Sequence, residues 1–237
     1  MTHTRFVPAV AIFTASMALV LAGTLISSPH LQAADKDDQN GDESKVQIGF
    51  DIAPVPLNLH GKNRHKVGLG SYIVNGAADC NGCHTSDPTL EFTVPGNPYL
   101  IPMPTGPFTG TKVVNPATYL AGGNDFGTFD PGGLSAHIVS RNLTPDRTGL
   151  PEGGHTYAEF HQIMRTGVDM DHLHPTCTGA LNPGCVPFPF NGALLQIMPW
   201  PNFQNLSDHD LEAIYEYLSA IPCNAGPPTG PLHNDCP

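Results

Sequence analysis

Five consecutive residues constrain this chain more than any other feature: Cys80-Asn81-Gly82-Cys83-His84. Cysteines three apart on one helical turn lie on the same side, so both sulfurs can reach one flat group while the next side chain offers an imidazole nitrogen. A structural zinc ion needs four ligands, and Cys83 and His84, being adjacent, would have difficulty pointing at one tetrahedral ion. A thioredoxin-like dithiol would follow a buried strand, whereas the residues before Cys80 read as a helix. A plain disulfide between the two remains open to an exported chain. The pattern itself is that of covalent haem attachment, with Cys80 and Cys83 as thioethers to one porphyrin and His84 as an iron ligand.

The N-terminus supplies an export route. Arg5 precedes an uncharged, largely apolar run from Phe6 to Ile26, followed by Ser-Ser-Pro-His-Leu-Gln-Ala-Ala and the acidic Asp35. That layout is secretory, with residues 1–34 a signal peptide ending at Ala33 or Ala34, or an uncleaved membrane anchor through residues 6–26. The expected location is the periplasm or the outer face of the bacterial cytoplasmic membrane. Without that segment 9 Lys+Arg face 21 Asp+Glu, which argues against nucleic acid as a partner. The acidic balance would favour positively charged docking faces or simply keep the protein in solution.

With 25 Gly and 25 Pro, much of the chain is expected to be loop around a small helical core. Residues 35–60 read as a flexible acidic linker, since Asp35 to Lys45 has almost no apolar content and Gln47 to Leu59 is broken by prolines. One helix is expected from about Lys66 to Ala77, delivering the chain to Cys80. A second opens on the capping box Thr156 to Glu159 and stops at Gly167. A third opens on Ser207 and Asp210 and runs to Ile221-Pro222. Weak signals for short strands occur around Thr111 to Val114 and Ala136 to Ser140.

A haem iron has a second axial position, and its occupant separates an electron carrier from a haem enzyme. Met198 is the favoured ligand, because Ile197-Met198-Pro199-Trp200-Pro201 is a proline-stiffened loop leading into the third helix. Met103, Met170, His172 and His174 are the other candidates. The ring of His84 would be oriented by a backbone carbonyl shortly after the motif, with Pro88 the choice.

A helix, Cys-x-x-Cys-His, a Met-bearing loop and a C-terminal helix in this order resemble class I c-type cytochromes. Gly70 to Thr85, Ala121-Gly122-Gly123, Asn142-Leu143-Thr144-Pro145-Asp146, Thr148-Gly149 and Met198-Pro199-Trp200 with Leu206-Ser207-Asp208 look like the cytochrome c modules of membrane-bound alcohol and gluconate dehydrogenases. The resemblance covers roughly residues 65–222. It implies a mainly α, cytochrome c-like helical core around one haem with long Pro/Gly-rich loops and a short strand pair. Cys80 and Cys83 would hold the haem, His84 and Met198 would ligate iron, and the loop from Asn142 to Pro145 would lie against the haem. Those dehydrogenase subunits carry three such modules, and this chain carries one motif.

Residues 61–222 are thus expected to form a monohaem cytochrome c domain, followed by a disulfide-tied tail, 223–237. The four remaining cysteines are expected to pair as Cys177 with Cys185 and Cys223 with Cys236. Asp169, Asp171, His172 and His174 form a polar cluster that could bind a second metal or stand as a solvated loop. The remaining histidines, His137 and His161 among them, read as ordinary polar residues without pairing. The expected function is single-electron transfer between redox partners, a dehydrogenase donor and an oxidase or cytochrome acceptor, through one covalent haem c and without catalysis by the chain itself. The alternative is a haem enzyme, a peroxidase or sulfur-compound oxidoreductase, with a replaceable sixth ligand and His172 or His174 as base.

Overall fold

Gly68 and Gly70 stand two residues apart, on opposite sides of one helix, and each admits a different neighbour. The computed structural model describes residues 42–93, 113–127, 137–170, 193–228 and 232–237. Over these the fold is mainly α: helix α1 (42–52), α2 (Arg64–Ser71), a π-helical turn (Tyr72–Ala77), α3 (Cys80–His84), a tight turn α4 (Pro151–Gly154), α5 (Tyr157–Thr166), α6 (Trp200–Phe203) and α7 (Asp208–Leu218). A Cβ on Gly70 would lie 1.9 Å from the Ala213 carbonyl oxygen, and one on Gly49 would lie 1.9 Å from that of Gly68. Helix α2 is therefore held between α7 on one side and α1 on the other, backbone against backbone. Leu211, Ile214, Tyr217 and Leu218 of α7 pack with Val67, Leu69, Ile73 and Val74 to form the core.

Helix α1 departs from the flexible, irregular lead-in expected over 35–60. It packs through Val46 and Phe50, whose side chains lie over Gly68, and through Gly49, whose carbonyl accepts from the Ser71 hydroxyl at 2.6 Å. The helix expected over Lys66 to Ala77 is divided: α2 passes at Tyr72 into the π turn, in which the Ala78 N–H reaches the Ile73 carbonyl at 2.8 Å. That wider turn swings Asn75 inward. Thr156 and Glu159 form the expected capping box of α5, and Gly167 closes it in the left-handed conformation at φ 69°. The α7 N-terminus is capped by the Ser207 side chain, and the helix ends at Leu218, three residues before Ile221.

Among the described residues no strand forms. The segments expected as strands make only isolated bridges, Phe92 with Val114 and Asp125 with Val139. Cys223 and Cys236 are joined as expected, with Cα atoms 5.7 Å apart. Cys177, Cys185, Asp171, His172, His174, Met103 and residues 1–41 lie outside the described residues. Among the described residues no helix is long and apolar enough to cross a membrane.

Candidate functional site

Asp79, left-handed at φ 47°, turns the chain sharply between the π turn and α3. Cys80, Cys83 and His84 are thereby delivered to one wall of an apolar cavity with an empty volume of about 1140 Å³ that includes its open mouth. Leu143, Phe160 and Met164 form further walls, Ile214 and Leu218 of α7 close the back, and Phe126 stands at 38% exposure on the lining. Met198 lines the same cavity. All four residues singled out from the sequence thus meet around one space, although 114 positions separate His84 from Met198. Met170 does not line it.

Met198 is placed by α5. The Leu195 N–H donates to the Gly167 carbonyl at 2.7 Å, the Asp169 N–H to the Ala193 carbonyl at 2.9 Å, and the Trp200 N–H to the Met198 carbonyl at 2.8 Å. Gly167 has no Cβ because the Trp200 ring occupies that space, 2.2 Å from where the atom would be. The indole N–H closes the loop on the Leu195 carbonyl at 3.2 Å. Arg165 then ties the following residues down through the Leu206 carbonyl at 2.6 Å and Asp208 at 2.6 Å. His161 also reaches Asp208, at 2.9 Å, and His137 pairs with Asp125, so neither histidine is the solitary residue expected.

His84 is 8% exposed, and its Nδ1 lies 2.8 Å from the carbonyl oxygen of Arg141. A carbonyl can only accept, so Nδ1 carries the proton and Nε2 keeps a free lone pair. Burial lowers the His84 pKa, against the raising effect of that hydrogen bond and with the Arg141 charge adding to the lowering. The ring is therefore neutral near pH 7, as a metal ligand must be. The orienting partner is Arg141, 57 residues away, and not Pro88, which sits in a 3-10 turn (Pro88–Leu90). No sequence signal marks Arg141 for this task, because the atom involved is a backbone oxygen.

Cys80 and Cys83 are both free thiols. Burial, with Asp79 and Cys83 adding to it, pushes the Cys80 thiol up to about 12, and burial followed by Asp79 raises Cys83. Redox-active dithiols depend on the opposite shift, a stabilised thiolate. Both shifts disfavour the thiolate, and the two sulfurs face an apolar space beside a histidine with an open nitrogen.

The Arg141 guanidinium forms a buried ion pair with Asp169. Asp169 accordingly belongs to the packed interior and not to a solvated loop. Glu152, buried and left-handed at φ 53°, also lines the cavity. In the loop from Asn142 to Pro145, Asn142 donates to the Asn224 carbonyl at 2.9 Å, and Asn234 donates to the Thr144 carbonyl at 3.0 Å. Leu143, between them, faces the cavity. Among the described residues no group of three or more metal-ligating His, Cys, Asp or Glu side chains occurs.

No family model and no solved structure matches the chain. It is similar to the fructose dehydrogenase cytochrome subunit of Gluconobacter japonicus, 24% identical over 166 residues that make up 70% of this chain and 22% of that protein. It is also similar to a nicotinate dehydrogenase subunit of Pseudomonas putida, 30% identical over 100 residues, 39% of this chain and 6% of that protein. The chain thus spans less than a quarter of the length of either curated relative. Distant similarity to a dehydrogenase cytochrome subunit is consistent with a role in electron transfer.

Proposed function

We propose that this chain is an exported monohaem c-type cytochrome that passes single electrons between redox partners. The observation that carries the reading is the convergence on one apolar cavity of two free thiols on α3, a neutral buried imidazole with Nε2 open, and Met198, carried on a loop whose backbone is tied to Gly167. A flat apolar macrocycle with two attachment points and two axial positions fits that donor set. When bound, haem supplies reversible exchange between ferrous and ferric iron.

The residues of the chain do the rest. Cys80 and Cys83 would hold the porphyrin, His84 would ligate through Nε2, and Met198, a soft sulfur donor, would favour the reduced metal and raise the potential relative to two-histidine ligation. The apolar walls of Leu143, Phe160, Ile214 and Leu218 exclude water, which lowers reorganisation on electron exchange and denies small molecules access. Phe126 and Cys83, both exposed in part, mark the edge at which electrons would leave. The Cys223–Cys236 disulfide supports an oxidising compartment, the periplasm or the outer face of the cytoplasmic membrane. Similarity to a dehydrogenase cytochrome subunit supports a dehydrogenase as electron donor.

The test combines mass and optical spectra of the protein expressed with haem-maturation machinery. The expected mass is polypeptide plus one covalent haem, and the oxidised protein shows the far-red charge-transfer band of methionine-to-iron ligation. Met198→Ala abolishes that band while the covalent haem remains. A mass matching polypeptide alone, or a band unchanged in Met198→Ala, overturns the assignment.

A further inference from the structure

Gly122 lies between the two backbone groups that define the environment of His84. Its N–H donates to the His84 carbonyl at 2.8 Å, and a Cβ on it would lie 2.4 Å from the Arg141 carbonyl carbon and 2.6 Å from the Arg141 oxygen. That oxygen is the one facing His84 Nδ1. Gly122 also has φ +66°, a conformation that strains any residue with a side chain. One peptide thus holds the backbone of the histidine on one side and touches the hydrogen-bond partner of its ring on the other.

The segment carrying Gly122 is a strap fastened along its length. The Ser86 N–H donates to the Thr118 carbonyl at 3.0 Å, the Leu120 N–H to Asn81 Oδ1 at 2.9 Å, the Leu143 N–H to the Leu120 carbonyl at 2.9 Å, and the Gly123 N–H to the Ser140 carbonyl at 2.9 Å. These bonds alternate between the α3 region and the 140–143 segment. Leu120, fully buried, is left-handed at φ 51°, a strain that persists only where the surroundings over-determine the backbone. The separation between His84 and Arg141 is therefore set by the thickness of this strap, and at Gly122 that thickness is a bare backbone.

We propose that Gly122 is a positioning residue that sets the potential of the metal bound by His84, by letting the Arg141 carbonyl close on the ring Nδ1–H. This rests on the haem reading above. A close Nδ1–H···O=C bond raises the basicity of the ligating nitrogen, which favours the ferric state. A side chain at position 122 pushes the Arg141 peptide away, weakens that bond and moves the potential upward.

Gly123 provides a matched control. It also has positive φ, +96°, but the three atoms nearest its Cβ would all belong to the Pro227 ring, with Cγ at 2.5 Å. Haem-loaded wild type, Gly122→Ala, Gly123→Ala and Asn81→Ala are compared by redox titration and by the NMR signal of the His84 ring N–H. Gly122→Ala is expected to shift the reduction equilibrium about tenfold toward ferrous, about 59 mV for one electron, with the ring N–H signal moving toward weaker hydrogen bonding. Gly123→Ala is expected to lose thermal stability with the potential unmoved. Asn81→Ala, which unfastens the strap at Leu120 without adding an atom, shifts both readouts in the direction of Gly122→Ala and stands in for it if that variant does not fold. Equal potentials in wild type, Gly122→Ala and Asn81→Ala overturn the proposal, as does an equal shift in Gly123→Ala. Wild type carrying no haem by mass is a different failure, that of the underlying reading.

Discussion

The hydroxyls of Tyr119 and Tyr217 lie 2.7 Å apart in the interior, 98 residues apart in sequence, and Asn75 of the π turn joins both. Asn75 Oδ1 accepts from Tyr119 at 2.5 Å, and Nδ2 donates toward the Tyr217 oxygen at 3.0 Å. Burial raises the pKa of each phenol, so both stay protonated. The π turn is what puts an amide there, which links the widened helix to the floor of the core beside Cys80.

Removing Asn75 takes an acceptor from Tyr119 and a donor from Tyr217, and leaves the two buried hydroxyls bonded to each other. Asn75→Ala is expected to cost about 2–3 kcal/mol, and Tyr119→Phe, which deletes one hydroxyl, about 1 kcal/mol. Denaturant unfolding of the two variants measures the difference. Equal costs would mean that the network is not acting through Asn75.

The crossing of α2 and α7 has no room for a methyl group. Gly70→Ala places a Cβ 1.9 Å from the Ala213 carbonyl oxygen and 2.7 Å from the Tyr217 Cβ, and the overpacking is expected to cost about 3 kcal/mol or more. Gly61→Ala is the comparison: φ is +69° but nothing lies within 4 Å, so only the backbone strain of about 1–2 kcal/mol applies. Thermal melts should separate the two by several degrees.

Acid stability should depend on Asp208. Its hydrogen bonds with His161 and then Arg165 hold the carboxyl below the ordinary range. Below the unfolded value of about 4, the unfolded chain binds the proton first, so this contribution is complete above that pH and is lost as pH falls through the depressed folded value. Melting temperatures of Asp208→Asn are expected to fall less steeply than wild type between about pH 4 and pH 2. A wild-type slope in the variant would exclude Asp208 as a source of the acid limb.

The Cys223–Cys236 bridge closes a loop of 13 residues and should contribute about 3 kcal/mol by constraining the unfolded chain. The folded tail also grips the 142–145 loop, since Asn224 N–H and Asn234 Nδ2 both donate to Thr144 Oγ1, at 3.0 and 3.1 Å. Replacing both cysteines by serine is expected to lower stability by that amount and to speed amide exchange at Thr144. Loss of stability without faster exchange there would show that the tail holds the loop unaided.

Much of the candidate site was readable in the residues themselves. Cys80, Cys83 and His84 sit at a spacing that only a helical turn turns into chemistry, and Met198 stands beside signals, Pro199 and Trp200, that announce a held loop. The ends of α5 were legible in Thr156, Glu159 and Gly167 because a capping side chain lies within three residues of the N–H it serves. Helix α1 was missed for a physical reason: only Val46, Gly49 and Phe50 face α2, too short an apolar set to outweigh the acidic run before it and Pro54 and Pro56 after it.

The amino-acid order by itself determined what is decided at short range: which sulfurs share a helical turn with an imidazole, where helices begin, and which cysteines lie close enough to close a small loop. Tertiary structure alone decided which carbonyl faces His84, which helices touch without side chains between them, and that Asp169 is an interior counter-ion to Arg141. Side chains carry their chemistry in their identity, whereas every backbone oxygen is alike until packing selects one, and here the selection is made across 57 residues by a strap one glycine thick.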